Sequence, residues 1–496
     1  MHARVIAAAL GLLLLAAPPP LALDGEVGMH DPSTVILADG RYYVYATGNG
    51  LPAAVSDDGW TWRRAGNVMQ AVASARTEVI AKGGTNTWAP DVIHVGDKYF
   101  MYYSAPGTQP KSAIGLLVNT TLDPASPNYK WEDGGPVVWS DGVEDSNAID
   151  PGVMRDPANG SLWLTYGSYF GYIRLVELDP KTGKRLHPER PPVNVAINSE
   201  ASVMIARDGW YYLLVTHGSC CAGGNSTYNI RMGRSRRVTG PFVDNMGIDM
   251  LQGGGKMFLG SSGRHIGPGH FGLLDLGDGV QKFSLHYEAD LDRGGMSVLD
   301  IRPLLWRDGW PVAGDNVVPG TYEIESERTG TALELAVQGV PVSGGRGRGA
   351  GPGSNAPPAS IPAQDVNTVS GAWPAGPTDV RMAQYLAQAQ QKWTLAPVEG
   401  AGGYPGAPYF KITIAGTERT LAATSDAELV VLSAFTGGAE QLWRIDQLAD
   451  GSYRVMPKGV PGMKTGLALS AVGSSTPTLA AFKADGDRQR WLLRTP

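Results

Sequence analysis

The sequence predicts an all-β protein, a five-bladed β-propeller followed by a second, smaller β domain. Three observations carry this. A polar residue, a small or Pro step, a short apolar strand, a Gly-containing turn and an aromatic strand recur five times, beginning at Asp31, Asp91, Asp150, Glu200 and His270, which lie 60, 59, 50 and 70 residues apart. A Gln-x-Trp tripeptide then recurs at 391–393, 441–443 and 489–491. Finally, 66 Gly, 36 Pro, 13 Trp, 19 Tyr and 9 Phe suit strands and turns, and no long stretch after the N-terminus has helical period.

In chain order, residues 1–23 (MHARVIAAALGLLLLAAPPPLAL) read as a secretory signal, with one Arg, an apolar run and then small and turn-forming residues. The run is too short for a membrane span. The expectation is therefore an exported, soluble protein. A net charge of -6 and a pI of about 5.8 give no reason to expect nucleic acid or a membrane as partner. The two cysteines, Cys220 and Cys221, are adjacent and cannot staple distant segments; a vicinal disulfide, free thiols or simple buried packing all remain open.

Each of the five copies has the length of one four-stranded blade, so residues 24–315 are expected to form the propeller. The innermost strands of the blades line a central channel, and equivalent ends converge on one mouth. Four carboxylates and an imidazole are then expected to meet there. Crowded like charges cost energy and raise one another's pKa, a cost usually tolerated for function. Trp88 (in TWAPD), Asn147 (in SNAIDP), Ser168 and Tyr169 fall near the same mouth. A Trp beside carboxylates suits the apolar face of a sugar ring. Two carboxyl groups, one protonated and one ionised, cleave glycosidic bonds. G-x-S-x-G and H-E-x-x-H are absent, and no phosphate or dinucleotide fingerprint occurs in its needed context.

The motifs HDPS (30–33), WAPD (88–91), SNAIDP (146–151), EAS (200–202), GPGH (267–270), NSTYNIRMGRS (225–235), TGPF (239–242), LQGGG (251–255) and IRPLLWRDGWP (301–311) closely resemble those of the arabinanases of glycoside hydrolase family 43. That resemblance implies a five-bladed propeller acting on α-1,5-linked arabinan with inversion. Asp31 would be the general base, Glu200 the general acid, and Asp150 the residue that raises and orients Glu200. The base and acid of an inverting enzyme stand roughly 6.5–9.5 Å apart. Trp88, Asn147, Ser168 and Tyr169 would contact substrate. His270 would face a calcium ion held mostly through water. Asp91 would order loops or bond a neighbouring blade. The chain departs from the family at Tyr169-Phe170, where a bulkier pair is common; a Cys-Cys is shared by many relatives. An exo-acting α-L-arabinofuranosidase, a β-xylosidase and a non-catalytic sugar-binding propeller are the alternatives.

After Pro311, the Gln-x-Trp copies, each with an aromatic residue ahead (Tyr385, Phe435, Phe482) and a Leu-centred strand (332–336, 420–424, 468–472), resemble a ricin-type β-trefoil, expected over 316–496. The pattern places a sugar-binding acid after each Leu, and here those positions hold Glu334, Ala422 and Ser470, so at most one lobe keeps it. Weak sugar binding and a purely structural role both stay open. A Gly/Pro/Ser-rich insertion is expected near 339–364.

Overall fold

The computed structural model describes residues 22–69, 74–75, 86–108, 110–143, 146–337, 373–464, 466–473 and 476–496. Of the expected leader only Ala22 and Leu23 are among them, and the expected insertion lies outside the described residues. None of the described helices is long and apolar enough to cross a membrane.

Five sheets follow one another, as a five-bladed propeller. The first blade runs Ile36–Ala38, Arg41–Tyr45, Pro52–Ser56, Thr61–Asn67; the second Asn86–Val95, Lys98–Pro106, Ser112–Asn119, Glu132–Ser140. The third is Gly152–Arg155, Leu162–Tyr166, Tyr172–Leu178, Val193–Ile197; the fourth Glu200–Arg207, Trp210–His217, Asn229–Ser235, Lys256–Leu259; the fifth His265–Asp275, Gln281–Asp290, Met296–Arg307, Trp310–Ala313. Alternating burial fills the space between blades with residues such as Val44, Phe100, Leu164, Leu214 and Phe283. The N-terminal segment closes the ring. Asp24–Gly25 pairs in parallel with Thr61–Trp62 of the first blade, while Met29 N–H donates to Ser297 O (3.1 Å) and Leu299 N–H to Val27 O (2.9 Å) in the last. Closure removes open strand edges.

One residue near the head of each blade is left-handed: Asp31 (φ 50°), Ala89 (φ 38°), Asp150 (φ 55°), Ala201 (φ 48°) and His270 (φ 54°). L-residues resist this conformation, so the surroundings must impose it. The same device serves all five. Each N–H donates to a side chain of the preceding blade: Ala89 to Thr47 Oγ1 (2.8 Å), Asp150 to Ser104 Oγ (2.9 Å), Ala201 to Asp150 Oδ2 (3.2 Å), His270 to Thr216 Oγ1 (3.2 Å) and, across the closure, Asp31 to His286 Nδ1 (2.7 Å).

This ring corrects the alignment of the five copies. The equivalent of Asp31 is Ala89, two residues before Asp91, and Ala201, one after Glu200. Nor do all five residues begin a strand: Asp31 and Asp150 precede theirs, while Asp91 and His270 lie inside. Register shifts between Trp88 and Asp91, Glu200 and Val203, and Gly269 and Gly272 are the cause. A bulge re-aims side chains without altering the sequence pattern around it.

Residues Gly320–Arg494 contribute a ten-stranded sheet and two hairpins. Trp393, Trp443 and Trp491 are fully buried, and their indole N–H groups donate to Leu333 O, Leu421 O and Leu469 O. Gln391, Gln441 and Gln489 each accept from backbone N–H and donate to backbone C=O a few residues away. This region packs on the first and last blades. Gly403 N–H donates to Asp58, and Ala449 bonds both Trp306 N–H and Gly279 O. At Gly406 (φ 84°) a Cβ would meet Ile301 O at 2.4 Å, so only glycine allows that approach. Buried Asp446 is bonded by Arg444 (2.7 Å) and Arg454 (2.8 Å). Burial pulls the nearby Lys282 of the fifth blade down to about 8, against the attraction of Asp446.

Candidate active site

The mouth of the channel opens into a cavity of about 840 Å³ lined by Asp31, Trp88, Asp150, Ser168, Tyr169, Glu200 and His270, among others. Seven of the eight expected site residues therefore meet there. Asn147 does not: it is fully buried, behind the lining, and its Oδ1 accepts from Ser112 Oγ (2.5 Å). Asp91 is also outside the cavity. Its carboxylate accepts from Thr34 N–H and Val153 N–H, so it staples the first and third blades together. A second cavity of about 470 Å³, beside Leu23 and Arg302, contains none of the three expected catalytic acids.

Asp31 is held on every side. Its Oδ2 accepts from Thr47 Oγ1 (2.6 Å), and Oδ1 stands 3.1 Å from His270 Nδ1 and 3.4 Å from His30 Nε2. Burial alone would raise this carboxyl, but the facing His270, His30 and His286 and the Thr47 hydroxyl outweigh it and bring it to about 2. Burial also lowers His270 and His286, so near neutral pH these rings act on Asp31 as dipoles rather than full charges. Because His286 Nδ1 accepts the Asp31 N–H, its proton sits on Nε2, which lies 3.6 Å from Glu288 Oε1.

Glu200 and Asp150 are pushed the other way. Burial raises Glu200, against hydrogen bonds from Tyr228 OH and Ser168 Oγ (2.9 Å) that favour its charge. Burial first, and then repulsion from Glu200 and Asp31, raises Asp150 strongly, against the Ala201 N–H bond. One cavity thus holds a carboxyl driven down beside a pair driven up, the direction of difference that acid–base cleavage uses.

Tyr169 is partly exposed and its hydroxyl reaches Thr216 O (3.4 Å). Cys220 and Cys221 are joined as a vicinal disulfide in the cavity wall, with Cys221 N–H bonded to Glu288. Tyr228, His30, Thr47 and His286 are site residues that the sequence reasoning did not assign. His30 and Tyr228 stand inside the quoted motifs HDPS and NSTYNIRMGRS; nothing local marks Thr47 or His286. Neither ring nitrogen of His270 makes a hydrogen bond among the described residues, so this buried imidazole has donor capacity left for an added group. The nearby donors are mainly imidazoles with few carboxylate oxygens. Calcium takes oxygen ligands, so an ion beside His270 would have to be held largely by water and not by a cage of protein oxygens.

The model of glycosyl hydrolases family 43 matches residues 26–311, more than half of the sequence. The chain belongs to glycosyl hydrolase family 43. Among its relatives is an extracellular exo-α-(1→5)-L-arabinofuranosidase of Cellvibrio japonicus, 33% identical over 304 residues, 58% of this chain and 86% of that protein. An extracellular endo-α-(1→5)-L-arabinanase of Bacillus subtilis is also 33% identical, over 63% of this chain and 96% of its own length. The structure of a Cellvibrio cellulosa α-L-arabinanase complexed with arabinohexaose superposes with a TM-score of 0.54 at 31% identity, covering 58% of this chain and 95% of that one. As a family 43 member the chain is a glycoside hydrolase with arabinan-active relatives.

Proposed function

We propose that this family 43 enzyme hydrolyses α-1,5-L-arabinofuranosidic bonds in arabinan with inversion and acts in endo fashion. Asp31 is the general base that takes a proton from the attacking water. Glu200 is the general acid that protonates the leaving oxygen. Asp150, itself driven up by burial and by Glu200, is the neighbour that modulates Glu200, and it orients the strand that bears the acid by accepting Ala201 N–H. Trp88 and Tyr169 flank the sugar and Ser168 steadies the acid. The observation that carries this reading is the opposite displacement of Asp31 and the Glu200–Asp150 pair within one cavity. His270, with water, would hold a calcium ion, which supplies positive charge at the channel.

Residues 1–23 are a secretion leader, in keeping with extracellular relatives. Residues 24–315 are the catalytic propeller and 316–496 a ricin-type β-trefoil. Three equivalent buried Trp and Gln residues support the trefoil. A structural role for it is favoured, because Glu334, the acid kept among the three positions that follow each Leu, is buried with both oxygens taken by Arg381 and Gln391. The exo reading stays open, since one relative carries that name. Products from debranched arabinan decide: short oligomers support endo cleavage, whereas arabinose alone from the first minutes refutes it.

A further inference from the structure

Through a single oxygen, Thr47 touches both Asp31 and the segment that carries Trp88. Its Oγ1 accepts the Ala89 N–H (2.8 Å) and stands 2.6 Å from Asp31 Oδ2. A hydroxyl has one proton and two lone pairs. With a lone pair occupied by an N–H, and an ionised carboxylate that can only accept, the proton is committed to Asp31. The Thr47 backbone reinforces this, because its N–H donates to His30 O (3.0 Å), at the residue before Asp31. The next two residues, Gly48 and Asn49, leave the first blade and pair with Thr87 and Asn86 of the second. Ala89 in turn directly follows Trp88, which lines the cavity. The junction between blades one and two therefore clamps Asp31 by a side chain and the Trp88 segment by the same atom.

We propose that Thr47 is a positioning residue for the reaction, holding the Asp31 carboxylate in its reacting orientation and tying it to the backbone that carries Trp88. This rests on Asp31 being the base. Two carboxylate rotations are open to an aspartate at a channel mouth. The His286 bond fixes only the Asp31 backbone, and His270 stands beside the other oxygen, Oδ1. Imidazoles of His30 and His270 face Oδ1, and among the described residues the Thr47 bond is the hydrogen bond made to Oδ2, so it selects which oxygen faces which side.

The test compares Thr47→Val, Thr47→Ser and Asp31→Asn in the full chain on a linear arabino-oligosaccharide. Valine keeps the shape and removes the hydroxyl, whereas serine keeps the hydroxyl. Thr47→Val is expected to lower kcat by roughly 10- to 100-fold, the scale of a lost hydrogen bond to a charged group, and to raise KM several-fold through Trp88. Thr47→Ser should recover kcat to within about threefold of the parent. The proposal is overturned if Thr47→Val retains the parental kcat while Asp31→Asn is inactive, or if the serine variant is as impaired as the valine one. An active Asp31→Asn would instead remove the base assignment, and this inference with it. A lower melting temperature with unchanged kcat per folded molecule would mean a structural role only, which also overturns it.

Discussion

The channel mouth and the C-terminal region solve the same problem of repetition in opposite ways. In the mouth, five equivalent backbone positions carry Asp, Ala, Asp, Ala and His. In the C-terminal region, three equivalent positions all carry Gln and three all carry Trp. What differs is which group makes the bond that holds the fold. At the mouth it is the backbone N–H, received by a neighbouring blade, so apart from Asp150, whose carboxylate receives Ala201 N–H, these side chains take no part in the ring. In the C-terminal region the indole and amide themselves make the bond, so these side chains cannot vary without loss of the core.

The largest effect that sharpens this contrast is expected at the mouth. Glu200→Gln should lower kcat by roughly 10²–10⁴-fold, as removal of a general acid does, with the melting temperature nearly unchanged. Hydrolysis of arabinan at the parental rate would sink the catalytic reading. Asp446→Asn should do the reverse. It leaves Arg444 and Arg454 facing each other without an anion, so it should cost about 3–5 kcal/mol of stability in denaturant titration, with little change in activity per folded molecule. Equal damage to kcat would show that the two regions are not separable in this way.

A smaller effect is expected from Tyr228→Phe. The Tyr228 hydroxyl bonds the ionised form of Glu200 and so lowers a pKa that burial has raised. Glu200 must be protonated to act, and that form is lost as pH rises through its folded pKa. Without the hydroxyl the alkaline limb of kcat should therefore move to higher pH, and kcat itself should fall by roughly tenfold. A limb that stays still, or moves down, contradicts this. The smallest effect belongs to Glu334→Gln. Retention on an arabinan gel should be unchanged, and stability should fall by about 1 kcal/mol. Lost retention would restore a sugar site to the C-terminal region.

The propeller was legible because its repeats are hydrophobic patterns, and pattern survives the loss of identity. The cluster of Asp31, Asp150, Glu200 and His270 was legible because charged residues before apolar strands are conspicuous. Their alignment was misread. Asp91 matches Asp31 in type but not in place, since the bulge that separates Trp88 from Asp91 is invisible to a count of residues. Glu200 occupies the position of His30 and Trp88, the residues just before the left-handed ones, and all three line one cavity. Asn147 failed for a related reason: three residues before Asp150 is close in sequence, but the chain there runs behind the wall. Thr47 and His286 were not legible at all, because their partners lie 16, 42 and 255 residues away.

The closing seam of the propeller has a consequence for kinetics. Val27 and Met29 bond Leu299 and Ser297, some 270 residues later, whereas the blades are built from hairpins between near neighbours. Bringing such distant segments together carries a loop-closure cost that local hairpins do not meet, and long-range pairing slows folding. The blades should therefore form first and the seam last. By the same reasoning, protection against amide exchange should be weakest along Val27–Met29 and Ser297–Leu299 among the strands of the ring. The Asp31 N–H bond to His286 crosses this seam, so the proposed base acquires its final backbone support only at the last step of folding.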